Sequence, residues 1–215
     1  MDADSQAAEK RVAAEAAAQL VEEGMIVGLG TGTTVAWFLT ALARRNLRIR
    51  CVATSPQTEE RARELGLPLE RVAELERLNL AVDGADQVDP EGWLVKGGGG
   101  AHTREKIAAA AAERFVVIVS SDKLVDALRP PVPVEILPYG AAATLRRLAP
   151  AALRGLPPTP DGGLIADYLG DVGTPAELAA RLSATPGVVE HGLFPPELVA
   201  EVLVGRGGSV ERRAV

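Results

Sequence analysis

Met25-Ile-Val-Gly-Leu-Gly30-Thr-Gly-Thr-Thr34-Val-Ala-Trp-Phe-Leu-Thr-Ala-Leu-Ala-Arg-Arg45 decides the fold. Met25–Leu29 is a short apolar run, as a buried strand requires, and from Val35 to Arg45 apolar residues return at helical spacing. A strand that passes through a glycine turn directly into a helix opens a β-α-β unit, and the alternation repeats downstream. Ile49–Ala53 is a second strand, followed by Thr54-Ser-Pro56 and a charged helix with proline in its first turn. Leu78–Val82 is a third strand ending at Asp83, Ala101–Glu113 is helical, and Phe115–Val119 is a β-branched buried strand. Gln87–Val95, around the turn Asp89-Pro-Glu-Gly92, fits a hairpin. Upstream, Ser5–Glu23 reads as an alanine-rich helix stopped by Gly24.

This order predicts an α/β fold with a Rossmann-like, mostly parallel sheet. The pattern changes near Arg129-Pro-Pro-Val-Pro133. Strand Val132–Leu137 is followed by helix Tyr139–Leu148, a proline-rich connection and strand Leu164–Leu169. Thr174-Pro-Ala-Glu177 has the form of a capping box, and Val188–Leu193 is a further strand. A β-α-β-β-α-β order predicts a second, smaller ferredoxin-like α+β domain. The tail from Glu201 to Arg213 fits two strands around Gly207-Gly208 that return to the first domain. The expected division is residues 1–130 plus 200–215 for the catalytic domain and 131–199 for the small one.

Bulk composition narrows the function classes. A chain of 215 residues, 47% apolar, can bury a substantial core. A net charge of −6 argues against nucleic acid as a bulk electrostatic partner. No run approaches the length of a membrane span, and Met1-Asp-Ala-Asp-Ser5 is acidic, unlike a secretory leader. Cys51 is the single cysteine, which fits a reducing cytoplasm and, with only His102 and His191, leaves little for a zinc site. Of 23 basic residues only Lys10, Lys96, Lys106 and Lys123 are lysines. Where arginine is used for charge alone, the remaining lysines are candidates for places that need a compact ammonium.

The polar motifs fall just after strands, where open α/β sheets bind ligands. Gly28, Gly30 and Gly32 are spaced G-x-G-x-G, without the G-x-G-x-x-G spacing or the acidic end of the second strand that a dinucleotide site uses. The Gly-Lys-Ser/Thr element of a Walker loop is also missing. Thr31, Thr33 and Thr34 suit one phosphate or several sugar hydroxyls, with a tight structural turn as the plain alternative. Asp83-Gly84-Ala85-Asp86 is compatible with a metal site, an acid/base pair or an Asx turn. Lys96 with the four glycines Gly97–Gly100 changes the weighting. Such a run is entropically costly, and amides beside a lysine suit a developing oxyanion. Glu105 then stands in the first turn of the next helix, where a carboxylate beside a substrate carbonyl can move a proton between adjacent carbons.

Together, Gly28-Leu-Gly-Thr-Gly-Thr-Thr34, Thr54-Ser-Pro-Gln-Thr58, Asp83-Gly-Ala-Asp86, Lys96–Gly100 with Thr103-Arg-Glu-Lys106, and Lys123-Leu-Val with Pro133-Val-Glu-Ile-Leu-Pro138 closely resemble ribose-5-phosphate isomerase, type A. The likeness runs in order over nearly the whole chain, to Pro186-Gly-Val-Val189 and Gly192-Leu-Phe194. It implies interconversion of ribose 5-phosphate and ribulose 5-phosphate in the non-oxidative pentose phosphate pathway, without metal or organic cofactor. By this resemblance Glu105 is the base, Asp83 assists ring opening and proton transfer, and Asp86 supports the pair. Lys96 with the amides of Gly97, Gly98, Gly99 and Gly100 stabilises the enediolate oxygen. Thr31, Gly32, Thr33, Thr34, Lys10 and Lys123 hold the substrate and its phosphate, and Gly84 and Ala85 line the same place. The resemblance also implies a homodimer or homotetramer, with the small domain contributing to assembly.

Three positions depart from the family pattern. They are Gln87 for a common acid, His102 for a common apolar residue, and Asp122 for a common serine. The competing readings are an aminosugar-phosphate isomerase/deaminase, which needs a further acid/base histidine, and a non-catalytic sugar-phosphate sensor, which has little use for Glu105. A dinucleotide-dependent oxidoreductase is disfavoured by the glycine spacing.

Overall fold

A computed structural model describes residues 3–70 and 77–215. The chain begins with α1 (Ala3–Ala18), β1 (Ile26–Leu29), α2 (Thr33–Arg44), β2 (Arg50–Ala53) and α3 (Pro56–Glu64). It continues through β3 (Leu80–Asp83), β4 (Gln87–Val88), β5 (Leu94–Val95), α4 (His102–Ala111) and β6 (Phe115–Ser120). Next come β7 (Val132–Ile136), α5 (Ala141–Leu148), β8 (Ala151–Leu153), β9 (Leu164–Tyr168) and α6 (Pro175–Ser183). β10 (Val188–His191), β11 (Leu193–Phe194), β12 (Glu201–Arg206) and β13 (Ser209–Ala214) complete it. Two compact units result: Met1–Ala85, Arg104–Leu124 and Pro196–Val215 form the first, and Asp86–Thr103 with Val125–Pro195 the second.

The first unit is built on a six-stranded sheet of order β13-β12-β6-β3-β1-β2, parallel except for the antiparallel edge strand β13. All six residues of β6 are buried, as expected of a central strand covered on both faces. α2 buries Val35, Phe38, Leu39 and Leu42 at helical spacing and leaves Trp37 half-exposed on its other side. α3 starts at Ser55, whose hydroxyl accepts the Thr58 N–H at 3.1 Å, with Pro56 in the first turn. The core runs from the alanine face of α1 (Ala13, Ala14, Ala17, Ala18) through Val27, Leu29 and Phe38 to Val82, Ile118 and Leu203. Strand order reverses at β1: the chain leaves it for β2 on one side and returns to β3 on the other. The chain therefore leaves β1 and β3 toward opposite sides, and such a switch point is where open α/β sheets bind ligands.

The second unit holds an antiparallel sheet of order β10-β7-β9-β8 and a small sheet of order β11-β5-β4. Its core gathers Val132, Val134, Ile136, Leu148, Tyr168, Leu178 and Leu182. With α5 and α6, the first sheet has the β-α-β-β-α-β succession of a ferredoxin-like unit, so the α/β fold with a smaller α+β part holds.

Several boundaries differ from expectation. α1 stops at Ala18, and Leu20 and Val21 close single i→i+3 turns onto Ala17 and Ala18 before Gly24, at φ +82°, redirects the chain. The proline-rich connection contains a strand, β8, paired along β9 from Ala151↔Tyr168 to Leu153↔Ala166. The expected strand Val188–Leu193 is two, because Gly192 donates to Pro133 O at 2.7 Å and accepts from Lys96 N at 2.8 Å, tying different neighbours on its two sides. At α6, Thr174 occupies the N-cap but its side chain makes no cap hydrogen bond, so the capping-box motif marks the start without its usual contact.

Cys51 lies buried in β2, and burial, with Glu70 nearby, pushes its thiol up to about 12. In native protein at pH 8 a disulfide-exchange reagent should label it at least about a hundredfold more slowly than in denaturant. Rapid native labelling would show that β2 opens readily.

Candidate active site

Within the first unit the site is assembled from the ends of β1 and β3. Gly30 N–H donates to Val82 O at 2.9 Å, which brings the two strand ends together. One oxygen of Asp83, Oδ1, then accepts the Thr31 N–H at 3.0 Å and the Gly84 N–H at 2.7 Å. That approach requires glycine at position 30, where a Cβ would lie 2.1 Å from the Asp83 carboxyl carbon. The Thr31 hydroxyl pairs with Thr54 Oγ1 at 3.0 Å, and the Thr58 hydroxyl donates to Gly30 O at 2.8 Å, so hydroxyls after β2 brace the glycine loop from the side. Glu105, in the first turn of α4, is 5% exposed and Asp83 3%. Both face one narrow cleft floored by Gly28, Gly30, Thr54 and Phe115. Two buried carboxylates on one cleft have the chemistry that acid/base transfer requires.

A second cluster in the same unit combines two lysines with a buried carboxylate and a more exposed one. α2 opens at Gly32, whose φ of +116° leaves Gly32 and Thr33 exposed at the helix N-terminus, while Thr34 is buried. Lys10 of α1 donates to Thr33 Oγ1 at 3.1 Å and to Gln6 Oε1 at 3.2 Å. Gln6 Nε2 donates in turn to Asp122 Oδ2 at 2.9 Å, and Lys123 Nζ lies 3.8 Å from that oxygen. Burial raises the Asp122 carboxyl, but hydrogen bonds from Ser120 and Gln6 and the Lys123 charge outweigh it and hold it below the usual carboxylate range. Thr33, Lys10, Gln6, Asp122 and Lys123 thus form one chain of hydrogen bonds and an ion pair that begins at the N-terminus of α2. Its anchor is Glu9, which sequence reading missed. Glu9 Oε2 accepts the Ser121 N–H and hydroxyl, both at 2.8 Å, and Oε1 accepts the Gly207 N–H at 3.1 Å.

The second unit holds the remaining predicted residues. Asp86 N–H donates to Val95 O at 2.8 Å across the β4–β5 hairpin, and Asp86 Oδ2 accepts the Gly98 N–H at 2.8 Å. Lys96 is 3% exposed, with Nζ 5.4 Å from the Phe194 ring centroid, a cation–π contact. Gly97, at φ +98°, begins a tight turn closed by Gly100 N–H to Gly97 O at 3.0 Å, and a Cβ on it would strike the His102 imidazole. His102 is fully buried, with Nε2 3.3 Å from Glu190 O, so it packs beneath the turn. Among the described residues, no three of His, Cys, Asp and Glu gather as metal ligands, and no helix is long and apolar enough to cross a membrane.

The family model described as ribose 5-phosphate isomerase A (phosphoriboisomerase A) matches residues 50–208. A model of the DeoR C-terminal sensor domain matches residues 5–64. A ribose-5-phosphate isomerase A of Caulobacter vibrioides is 46% identical, covering 99% of both chains. Among solved structures, ribose 5-phosphate isomerase A from Methanocaldococcus jannaschii superposes with a TM-score of 0.90 at 35% identity, covering 96% of this chain and 98% of its own. A D-ribose-5-phosphate isomerase in complex with phospho-erythronic acid superposes with a TM-score of 0.91 at 34% identity over the whole of both chains.

Burial raises the Glu9 carboxyl, but the bonds from Ser121 and Gly207 outweigh it and lower its pKa below the ordinary 4.5. A depressed carboxylate contributes stability above its unfolded pKa and loses it as pH falls through the folded value. Glu9→Gln should therefore melt on the order of 5 °C below wild type at pH 7, with the gap closing below about pH 4.5. Calorimetry across pH checks this, and a gap independent of pH would assign Glu9 a packing role alone.

Proposed function

The chain belongs to the ribose 5-phosphate isomerase A family, and on that premise we propose that it interconverts D-ribose 5-phosphate and D-ribulose 5-phosphate through an enediolate. The observation that carries the reading is the pair Asp83 and Glu105 on one cleft, in a unit that also presents the Lys10–Thr33–Lys123 cradle. The cradle takes the phosphate: Lys10 meets the α2 N-terminus at Thr33, and Lys123 adds its charge from beyond Gln6 and Asp122. Glu105 removes the proton from C2 of the open aldose and returns it to C1. Asp83, fixed by two amides, serves ring opening and carries a proton from O2 to O1, which balances the isomerisation without any net gain or loss. Lys96 and the glycine turn, through the Gly99 amide, take the charge that develops on the enediolate oxygen. Asp86 supports them through Gly98.

The sensor reading has a partial match in its favour, but that match ends at residue 64, before either carboxylate of the cleft. Assembly as a homodimer or homotetramer and a cytoplasmic location belong to the same proposal. The exposed Leu137, Tyr139, Leu153, Leu156 and Leu169 of the second unit support self-association. The chemistry assigned to these side chains calls for no metal or organic cofactor.

Purified protein should convert ribose 5-phosphate to ribulose 5-phosphate in excess chelator, followed by a coupled assay. Loss of turnover on chelation would overturn the metal-free scheme. Glu105→Gln should lower kcat by a factor on the order of 10²–10⁴ with KM within a few fold. Near-wild-type turnover would remove Glu105 from the base role.

A further inference from the structure

Four consecutive glycines have no side chains with which to hold their own conformation, so whatever orients them must come from elsewhere. In the second unit that constraint is Arg154. The β8–β9 ladder continues past Leu153, with Arg154 N–H donating to Ile165 O at 2.9 Å. Its guanidinium is mostly buried and forks onto Asp167 of β9, Nε to Oδ2 at 2.7 Å and Nη2 to Oδ1 at 2.6 Å. The third nitrogen, Nη1, donates to Gly97 O at 2.9 Å and Gly98 O at 3.0 Å.

A trans peptide is planar, and its N–H points opposite to its C=O. Holding both carbonyls on the Arg154 side turns the N–H groups of Gly98 and Gly99 to the other side. The Gly98 N–H is the one received by Asp86, and the Gly100 N–H closes the turn onto Gly97 O. Of the Gly98, Gly99 and Gly100 amides, that of Gly99, an exposed residue, is the one spent neither on Asp86 nor on closing the turn. We propose that Arg154, oriented by Asp167, is a positioning residue that directs the Gly98 amide onto Asp86 and the Gly99 amide outward, and so preorganises an oxyanion-binding turn. The catalytic consequence rests on the isomerase reading given above. The geometry calls for arginine in particular, because one planar fork spans a carboxylate and two carbonyls, which an ammonium on a single stem cannot do.

The test compares Arg154→Gln, Arg154→Lys and Asp167→Asn with wild type. The readouts are kcat and KM for ribose 5-phosphate, and binding of phospho-erythronic acid and of inorganic phosphate by calorimetry. Arg154→Gln should lower kcat by about 10–100-fold with KM within about threefold, and weaken phospho-erythronic acid, whose carboxylate presents an oxyanion, about tenfold. Inorganic phosphate affinity should stay unchanged. Arg154→Lys should restore little, and Asp167→Asn should show the same pattern more weakly, including where Arg154→Gln does not fold. Unchanged kcat in folded Arg154→Gln, or equal weakening of phosphate and phospho-erythronic acid, overturns the proposal. Wild-type protein that binds phospho-erythronic acid but does not turn over ribose 5-phosphate defeats the isomerase reading instead, and the analogue still reports on the turn.

Discussion

The double acceptance at Asp83 Oδ1 is the constraint on which the first unit's site depends. One oxygen ties the loop after β1 to the loop after β3 at the place where strand order reverses. Remove the carboxylate and two amides lose their acceptor in a mostly buried setting, where an unsatisfied donor is costly. Add a side chain at position 30 and the carboxylate cannot approach at all. The same carboxylate therefore ties the two loops together and lines the cleft beside them.

Much of this arrangement was legible in the residues. β1, α2, β2, α3, β3 and β6 each announce themselves through local periodicity or a cap, and the glycine turns stand at strand ends where the parallel sheet needs them. What could not be read depends on partners distant in the chain. Glu9 looks like an ordinary helix-surface charge until Ser121 and Gly207 arrive against it. Arg154 sits in a proline-rich stretch whose strand, β8, is three residues long and is defined by its pairing with β9 more than by any pattern of its own. Thr54 and Thr58 stood out as part of a motif, but their work as braces for Gly30 and Thr31 needs the fold.

Lysine and arginine occupy physically different settings in this chain. Lys96 is buried over an aromatic face, and Lys10 reaches a threonine hydroxyl beside a helix N-terminus, both settings for a compact point charge. Arg61 and Arg63, by contrast, form exposed pairs with Glu64 and Glu59, each worth little to stability. Arg154 differs from these in burial and in the number of acceptors it serves at once.

The six-stranded sheet is assembled from three separate passes of the chain. β12, which lies between β6 and the edge strand β13, is translated only after the entire second unit has been made. On a nascent chain, β6, buried along its whole length in the folded protein, thus waits with one edge unpaired, and the groove of β12 that receives α1 does not yet exist. The second unit's antiparallel sheet, continuous in sequence from β7 to β10, carries no such delay. Birth order on the ribosome accordingly places the small unit's sheet ahead of the larger one, although the larger one begins first.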